Sequence, residues 1–153
     1  MKRIPSILCI AATLFAAPAF AYDEGLAESY GAFFGSFHEQ QVPKALHQMT
    51  PEKIMEAIKR GDAIVLMDVR TEQEQAIIGI TYPNSLSMPM DQVFKPENLA
   101  RIPTDKPVVV TCQSGVRCTV IALALRNIGF DNVYAMKGGL AGLMQYLNAK
   151  TAF

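Results

Sequence analysis

From Met49 onward the chain alternates between two kinds of pattern. Ala63–Val69 and Pro107–Cys112 are nearly continuous apolar runs, as expected of strands covered on both faces. Asn132–Met136 reads as a further strand, and Ser85–Met88, bracketed by Pro83 and Pro89, as a short one. Helical signals separate them. Thr50 caps a helix over 51–60, with Pro51 at its first position and Gly61 just past its end. Thr71 with Glu74 three residues later forms a capping box for a short helix reaching about Ile78. Asp91–Ala100 reads as a short or broken helix interrupted by Pro96. Ile121, Leu125 and Ile128 space a helix from Cys118 to Ile128, and a last helix covers Leu140–Ala149. Strands alternating with helices predict an α/β domain over 49–153, its central sheet largely parallel with helices on both faces.

Residues 22–48 follow a different pattern. Leu26, Tyr30, Phe33, Phe34 and Phe37 fall on one helical face, while Gly31 and Gly35 weaken the helix. This N-terminal extension is expected to pack on the main domain or to dock a protein partner. Both histidines, His38 and His47, lie in it and are expected at the surface. Residues 1–21 have the three parts of a secretory signal. Lys2 and Arg3 are followed by the apolar run Ile7–Ala17 and then by Ala19-Phe20-Ala21, with cleavage expected after Ala21. An apolar run this short does not span a bilayer core, which takes roughly 20 residues. The expected product is periplasmic or secreted, with no membrane attachment after cleavage.

Charge narrows the choice of partners. Lys and Arg number 14 against 14 Asp and Glu, in a chain of 153 residues. Without clustered cations there is no electrostatic case for nucleic acid. Of three cysteines, Cys9 falls in the leader, so only Cys112 and Cys118 remain. In an oxidising compartment a free thiol is expected to be paired, buried or used.

Both thiols flank the one segment that carries chemistry, Cys112-Gln113-Ser114-Gly115-Val116-Arg117. It joins the clearest strand to the helix at Cys118, at the carboxyl edge where open α/β sheets bind ligands. Backbone N–H groups from Gln113 to Cys118, together with the helix N-terminus, suit an anion. The same donors favour a Cys112 thiolate over its thiol. Gly115 permits the turn, and Arg117 adds a cation at the rim.

Cys112-x-x-Gly115-x-Arg117 resembles the active-site loop of the rhodanese (thiosulfate sulfurtransferase) family. Asp68-Val69-Arg70 is similar to that family's Asp-x-Arg element. Glu74, the Pro83-to-Pro89 stretch and Gly138-Gly139 follow in the expected order, so the likeness spans about 49–149. The resemblance implies that Cys112 takes the outer sulfur of a small anionic donor and holds it as a persulfide. A thiol or cyanide acceptor then removes it. It implies further that the loop amides of Gln113, Ser114, Gly115, Val116, Arg117 and Cys118 stabilise the negative sulfur, and that Arg117 holds the donor. Asp68 and Arg70 are expected to brace the fold. No metal or cofactor is called for. The chain departs from the family in lacking a histidine at Gly79-Ile80-Thr81-Tyr82, and in having Leu140 and Leu143 where a tryptophan often follows the glycine pair.

Three rivals are weighed against this. Cysteine phosphatases need five residues between Cys and Arg; here there are four, with Cys118 where that Arg would stand. A redox pair Cys112/Cys118 has the spacing Cys-x5-Cys rather than Cys-x-x-Cys. The third rival is a non-catalytic rhodanese-like carrier or interaction module. Zinc held by two cysteines and two histidines lacks any usual spacing.

Overall fold

The computed structural model describes residues 22–35, 37, 46–148, 150 and 151. The expected leader and His38 lie outside them. In chain order the elements are α1 (Glu24–Gly35), β1 (Gln48–Met49), α2 (Pro51–Arg60), β2 (Val65–Asp68), α3 (Glu72–Ile77) and β3 (Leu86–Ser87). They are followed by α4 (Pro96–Leu99), β4 (Val108–Thr111), α5 (Val116–Asn127), β5 (Val133–Met136) and α6 (Gly139–Tyr146). The five strands form one sheet in the order β1-β5-β4-β2-β3, every pairing parallel.

The sheet is buried on both faces, as its apolar runs require. Successive residues of a strand point to opposite sides. Val65, Met67, Val108 and Val110 therefore pack with Ile121 and Leu125 of α5. Leu66 and Val109 face the other way, toward Ile54 and Ala57 of α2 and Leu143 of α6. Each such buried side chain contributes on the order of 1.5–3 kcal/mol. The caps follow the sequence. Thr50 accepts from the Lys53 amide at 3.4 Å, and the Gly61 amide is bonded to the last turn of α2.

Several boundaries differ from expectation. β1 pairs with β5 through Gln48 and Met49, so the sheet begins at Gln48, a residue before the regular hydrophobic pattern. Two residues are too few to show a period. Pro96 does not interrupt a helix but opens one, because its missing N–H falls where no intrahelical acceptor exists. Helix α5 starts at Val116, two residues before Cys118.

The extension lies against α5, where Tyr30, Phe33 and Phe34 meet Val120, Leu123 and Ala124 around a shallow hollow. Helix α1 nonetheless buries none of its residues. His47 corrects the expectation of a surface histidine. It is half-buried, stacked on Tyr134 with ring centroids 5.3 Å apart, and burial followed by the Arg126 charge lowers its pKa. Among the described residues no helix is long and apolar enough to cross a membrane.

Candidate active site

Three strands deliver the site. β2, β3 and β4 end side by side, and the Val69 amide donates to the Thr111 carbonyl at 3.0 Å while Met90 N donates to Val69 O at 3.1 Å. Cys112 follows β4 directly. Its Sγ accepts the backbone N–H of Gly115 at 3.2 Å and of Cys118 at 3.4 Å.

The local reason lies in the N-cap. Gly115 occupies that position of α5 with φ 96° and has no side chain to close the first turn. The N3 amide, that of Cys118, is left for an acceptor outside the helix, and the cysteine sulfur takes it. Only glycine fits at 115. A Cβ there would come within 2.9 Å of Gly138 N, at a backbone angle that side chains rarely adopt. Gly139 backs the loop beside Gly138: a Cβ on it would stand 2.7 Å from Gly115 N. The adjoining turn is tied down by Leu140 N to Cys112 O at 2.8 Å and Ala141 N to Gln113 O at 3.0 Å.

Burial works against ionisation of the Cys112 thiol. The amides of Cys118, Gly115 and Ser114, with the Cys118 thiol, outweigh it and hold the pKa below its ordinary value. The set of donors is smaller than the expected one of all the amides from Gln113 to Cys118. Among the described residues, the backbone N–H groups within hydrogen-bond distance of Sγ are those of Gly115 and Cys118. Cys112 itself is buried, whereas Gln113, Ser114 and Val116 are exposed. Ser114, Gly115 and Val116 wall a hollow of about 410 Å³ on one flank of the loop.

Cys118 is turned inward. Its thiol faces Gly115 O at 3.2 Å and Met136 O at 3.4 Å, and both cysteines are free. Burial, then the charge of Cys112, pushes its pKa up to about 12. A thiol held neutral in this way is a poor resolving nucleophile, which weighs against the redox pair.

Arg117 lines a larger cavity of about 750 Å³ on the opposite flank. Its guanidinium is engaged by Glu74, with Nη1 to Oε2 at 2.8 Å and Nη2 to Oε1 at 2.6 Å. The same carboxylate closes the capping box of α3, and Arg117 first, then the Thr71 amide, lowers the Glu74 pKa to about 2. Asp68 and Arg70 form a second ion pair beneath the site, at 2.7 Å and nearly inaccessible to solvent. Arg70 Nη2 also donates to Ile78 O at 2.5 Å, which joins the end of β2 to the end of α3.

The residues that build this loop and its glycine backing lie within the match to a known family. The Rhodanese-like domain family matches residues 50–145. The chain belongs to it.

Among curated relatives, a probable adenylyltransferase/sulfurtransferase MoeZ of Mycobacterium tuberculosis is 28% identical over 92 residues, covering 60% of this chain and 23% of its own length. A tRNA uridine(34) hydroxylase of Xanthomonas euvesicatoria is 34% identical, covering 56% of this chain and 36% of that protein. The rhodanese-like chain thus spans about a quarter to a third of these relatives. Among solved structures, protein SSP1007 of Staphylococcus saprophyticus superposes with TM-score 0.55 at 27% identity, covering 63% and 92% of the two chains. A human single-domain sulfurtransferase gives 0.56 at 20% identity, covering 67% and 98%, and shows the shared fold.

Sequence reasoning missed two parts of this rhodanese-like site. Glu74 was read as a cap and a family marker, not as the partner of Arg117, 43 residues away. Gly139 was noted for its position, yet its role in backing the loop needed the folded chain.

Proposed function

We propose that the domain is a sulfurtransferase that moves a sulfane sulfur to a thiol or cyanide acceptor through a persulfide on Cys112. The observation that supports this most is the pair of amides, Gly115 and Cys118, converging on the Cys112 sulfur at the N-terminus of α5. They favour the attacking thiolate and accommodate the negative terminal sulfur of the persulfide. Family membership and the sulfurtransferase named among its relatives point the same way.

In the first half-reaction the Cys112 thiolate attacks the outer sulfur of the donor. The bond between the donor's two sulfurs breaks, and its electron pair leaves on the inner sulfur. In the second, an acceptor thiolate or cyanide attacks the outer sulfur of the persulfide and restores Cys112 as thiolate. Cys112 is buried, so a donor reaches Sγ only when the rim of the loop shifts. The expected small anionic donor was to be held by Arg117, but that cation is already engaged with Glu74.

The test is intact-mass and peptide mapping after exposure to thiosulfate and to low-molecular-weight persulfides. A gain of one sulfur on Cys112, absent in Cys112→Ser, is expected. No gain from any donor would overturn the proposal and leave the non-catalytic module in its place. We also propose that the protein acts outside the cytoplasm, supported by the leader pattern over 1–21. Fractionation with N-terminal sequencing should find an extracytoplasmic protein beginning at Tyr22; an unprocessed cytoplasmic protein would refute this.

A further inference from the structure

The amide that Gly115 donates to the Cys112 sulfur belongs to the loop residue least constrained by its own sterics. Glycine rotates widely about both backbone torsions, so the direction of that N–H depends on what holds the neighbouring peptide groups. The Gly115 carbonyl is held firmly. It accepts the Thr119 hydroxyl at 2.7 Å and the Thr119 amide at 3.2 Å. The Cys118 thiol faces the same oxygen at 3.2 Å, but its single proton is shared with the Met136 carbonyl at 3.4 Å. A carbonyl oxygen has two lone pairs, and Thr119 brings a donor to each. At ψ −15° the Gly115 nitrogen lies nearly anti to its own carbonyl oxygen, so anchoring the oxygen on α5 fixes where the nitrogen stands. The hydroxyl has one proton to give, and Gln48 Nε2 of β1 approaches it as a donor at 3.5 Å, which leaves that proton for Gly115. A threonine hydroxyl bonded to the carbonyl four residues back is ordinary inside a helix. Here that carbonyl belongs to the N-cap, and the same residue carries the amide on sulfur.

We infer that Thr119 is a positioning residue for the Cys112 thiolate, its hydroxyl locking the Gly115 carbonyl so that the Gly115 amide stays aimed at sulfur. The inference rests on the reading of Cys112 as the nucleophile of sulfur transfer and adds a residue that acts on it at one remove. Thr119 is half-buried, and its hydroxyl reaches the sulfur only through Gly115. Its loss therefore alters how readily Cys112 ionises and leaves the nucleophile itself in place.

The test compares the full wild-type chain with Thr119→Val, which keeps the side-chain shape without the hydroxyl, and with Thr119→Ser, which keeps the hydroxyl. Alkylation of Cys112 by iodoacetamide is followed across pH, with peptide mapping to separate it from Cys118. In Thr119→Val the midpoint should rise by about half to one pH unit, since one of the two amides on the thiolate is loosened. The alkaline plateau should not fall, because a less stabilised thiolate is the stronger nucleophile. For the same reason sulfur loading from thiosulfate, measured below the midpoint, should drop by only roughly two- to threefold. Thr119→Ser should restore the wild-type midpoint. An unmoved midpoint in Thr119→Val, or an equal shift in Thr119→Ser, would overturn the assignment. So would a rate lowered by one factor at every pH, which marks lost access rather than a lost amide. If urea unfolding shows Thr119→Val to be unfolded, Thr119→Ala, which demands no extra room, is read by the same rule. Wild-type protein that alkylates but takes sulfur from no donor would end the sulfur-transfer reading, while the alkylation profiles still decide the role of Thr119.

Discussion

Two helix starts at the same sheet edge show how this domain separates support from chemistry. Helix α3 follows β2 after a short turn that carries Arg70, and helix α5 follows β4 with Arg117 in its own first turn. At α3 the N-cap is Thr71, whose Oγ1 accepts the N3 amide of Glu74 at 3.2 Å while the Glu74 carboxylate accepts the Thr71 amide at 3.0 Å. That start is capped by its own side chains. At α5 the N-cap is Gly115, and the corresponding N3 amide, that of Cys118, goes to the Cys112 sulfur. The same helix position, the N3 amide, thus serves a cap in one place and a nucleophile in the other. The arginines differ in the same sense: Arg70 is sealed against Asp68, while Arg117 is about one-third exposed and faces a cavity.

The sharpest break in this comparison is Cys112→Ala, which should remove all sulfur transfer and leave the far-UV circular dichroism unchanged. Turnover above background would show that the α5 start is as inert as that of α3. Next comes Asp68→Ala. It strands a buried guanidinium, so urea unfolding should report a loss of about 3–5 kcal/mol. A loss below 1 kcal/mol would mean that the α3 side is not a brace.

Gly115→Ala forces a side chain into a positive-φ position against Gly138, at a cost of about 1–3 kcal/mol. It should also raise the pH at which Cys112 is alkylated by iodoacetamide, because the amides no longer converge on sulfur. An unchanged alkylation profile would contradict their role. Thr71→Ala should cost about 1 kcal/mol through the lost cap and leave that profile where it was. Here a shifted profile would show that the two starts are coupled.

The smallest effect belongs to Glu74→Gln, where glutamine can still serve the capping box. Because the Glu74 pKa is depressed to about 2 when folded, its contribution is present above the ordinary carboxylate value near 4.5. It fades as pH falls from there toward 2. The pair is about one-third exposed, so the contribution is below about 1 kcal/mol. Acid titration of stability in the variant should lack that portion of the slope. An identical slope would count against the pair.

Much of the sheet was legible because a parallel strand buried on both faces is written as an unbroken apolar run. Val65–Asp68 and Val108–Thr111 both sit within the runs that marked them. β1 was not legible, since its two residues derive their strand character from pairing with β5. The start of α5 was placed late because Val116 and Arg117 precede the apolar spacing that Ile121 and Leu125 make visible. For the site, Cys112, Gly115 and Arg117 stood out as a short motif, and Thr71 with Glu74 as a box. The partnership of Glu74 with Arg117 depends on where β2 and β4 end relative to each other, which no local pattern states.

The amino-acid sequence alone determined the alternation of the longer strands and helices, the start of α3, and the six-residue segment that presents a cysteine, because these follow from spacings of a few residues along one chain. The tertiary structure decided that Gly139 backs the turn, that Cys118 turns its thiol toward Met136, and that Glu74 occupies Arg117. Those outcomes depend on distances between segments far apart in the chain. They are set by the strand register and by how closely backbone can approach backbone where glycine leaves room.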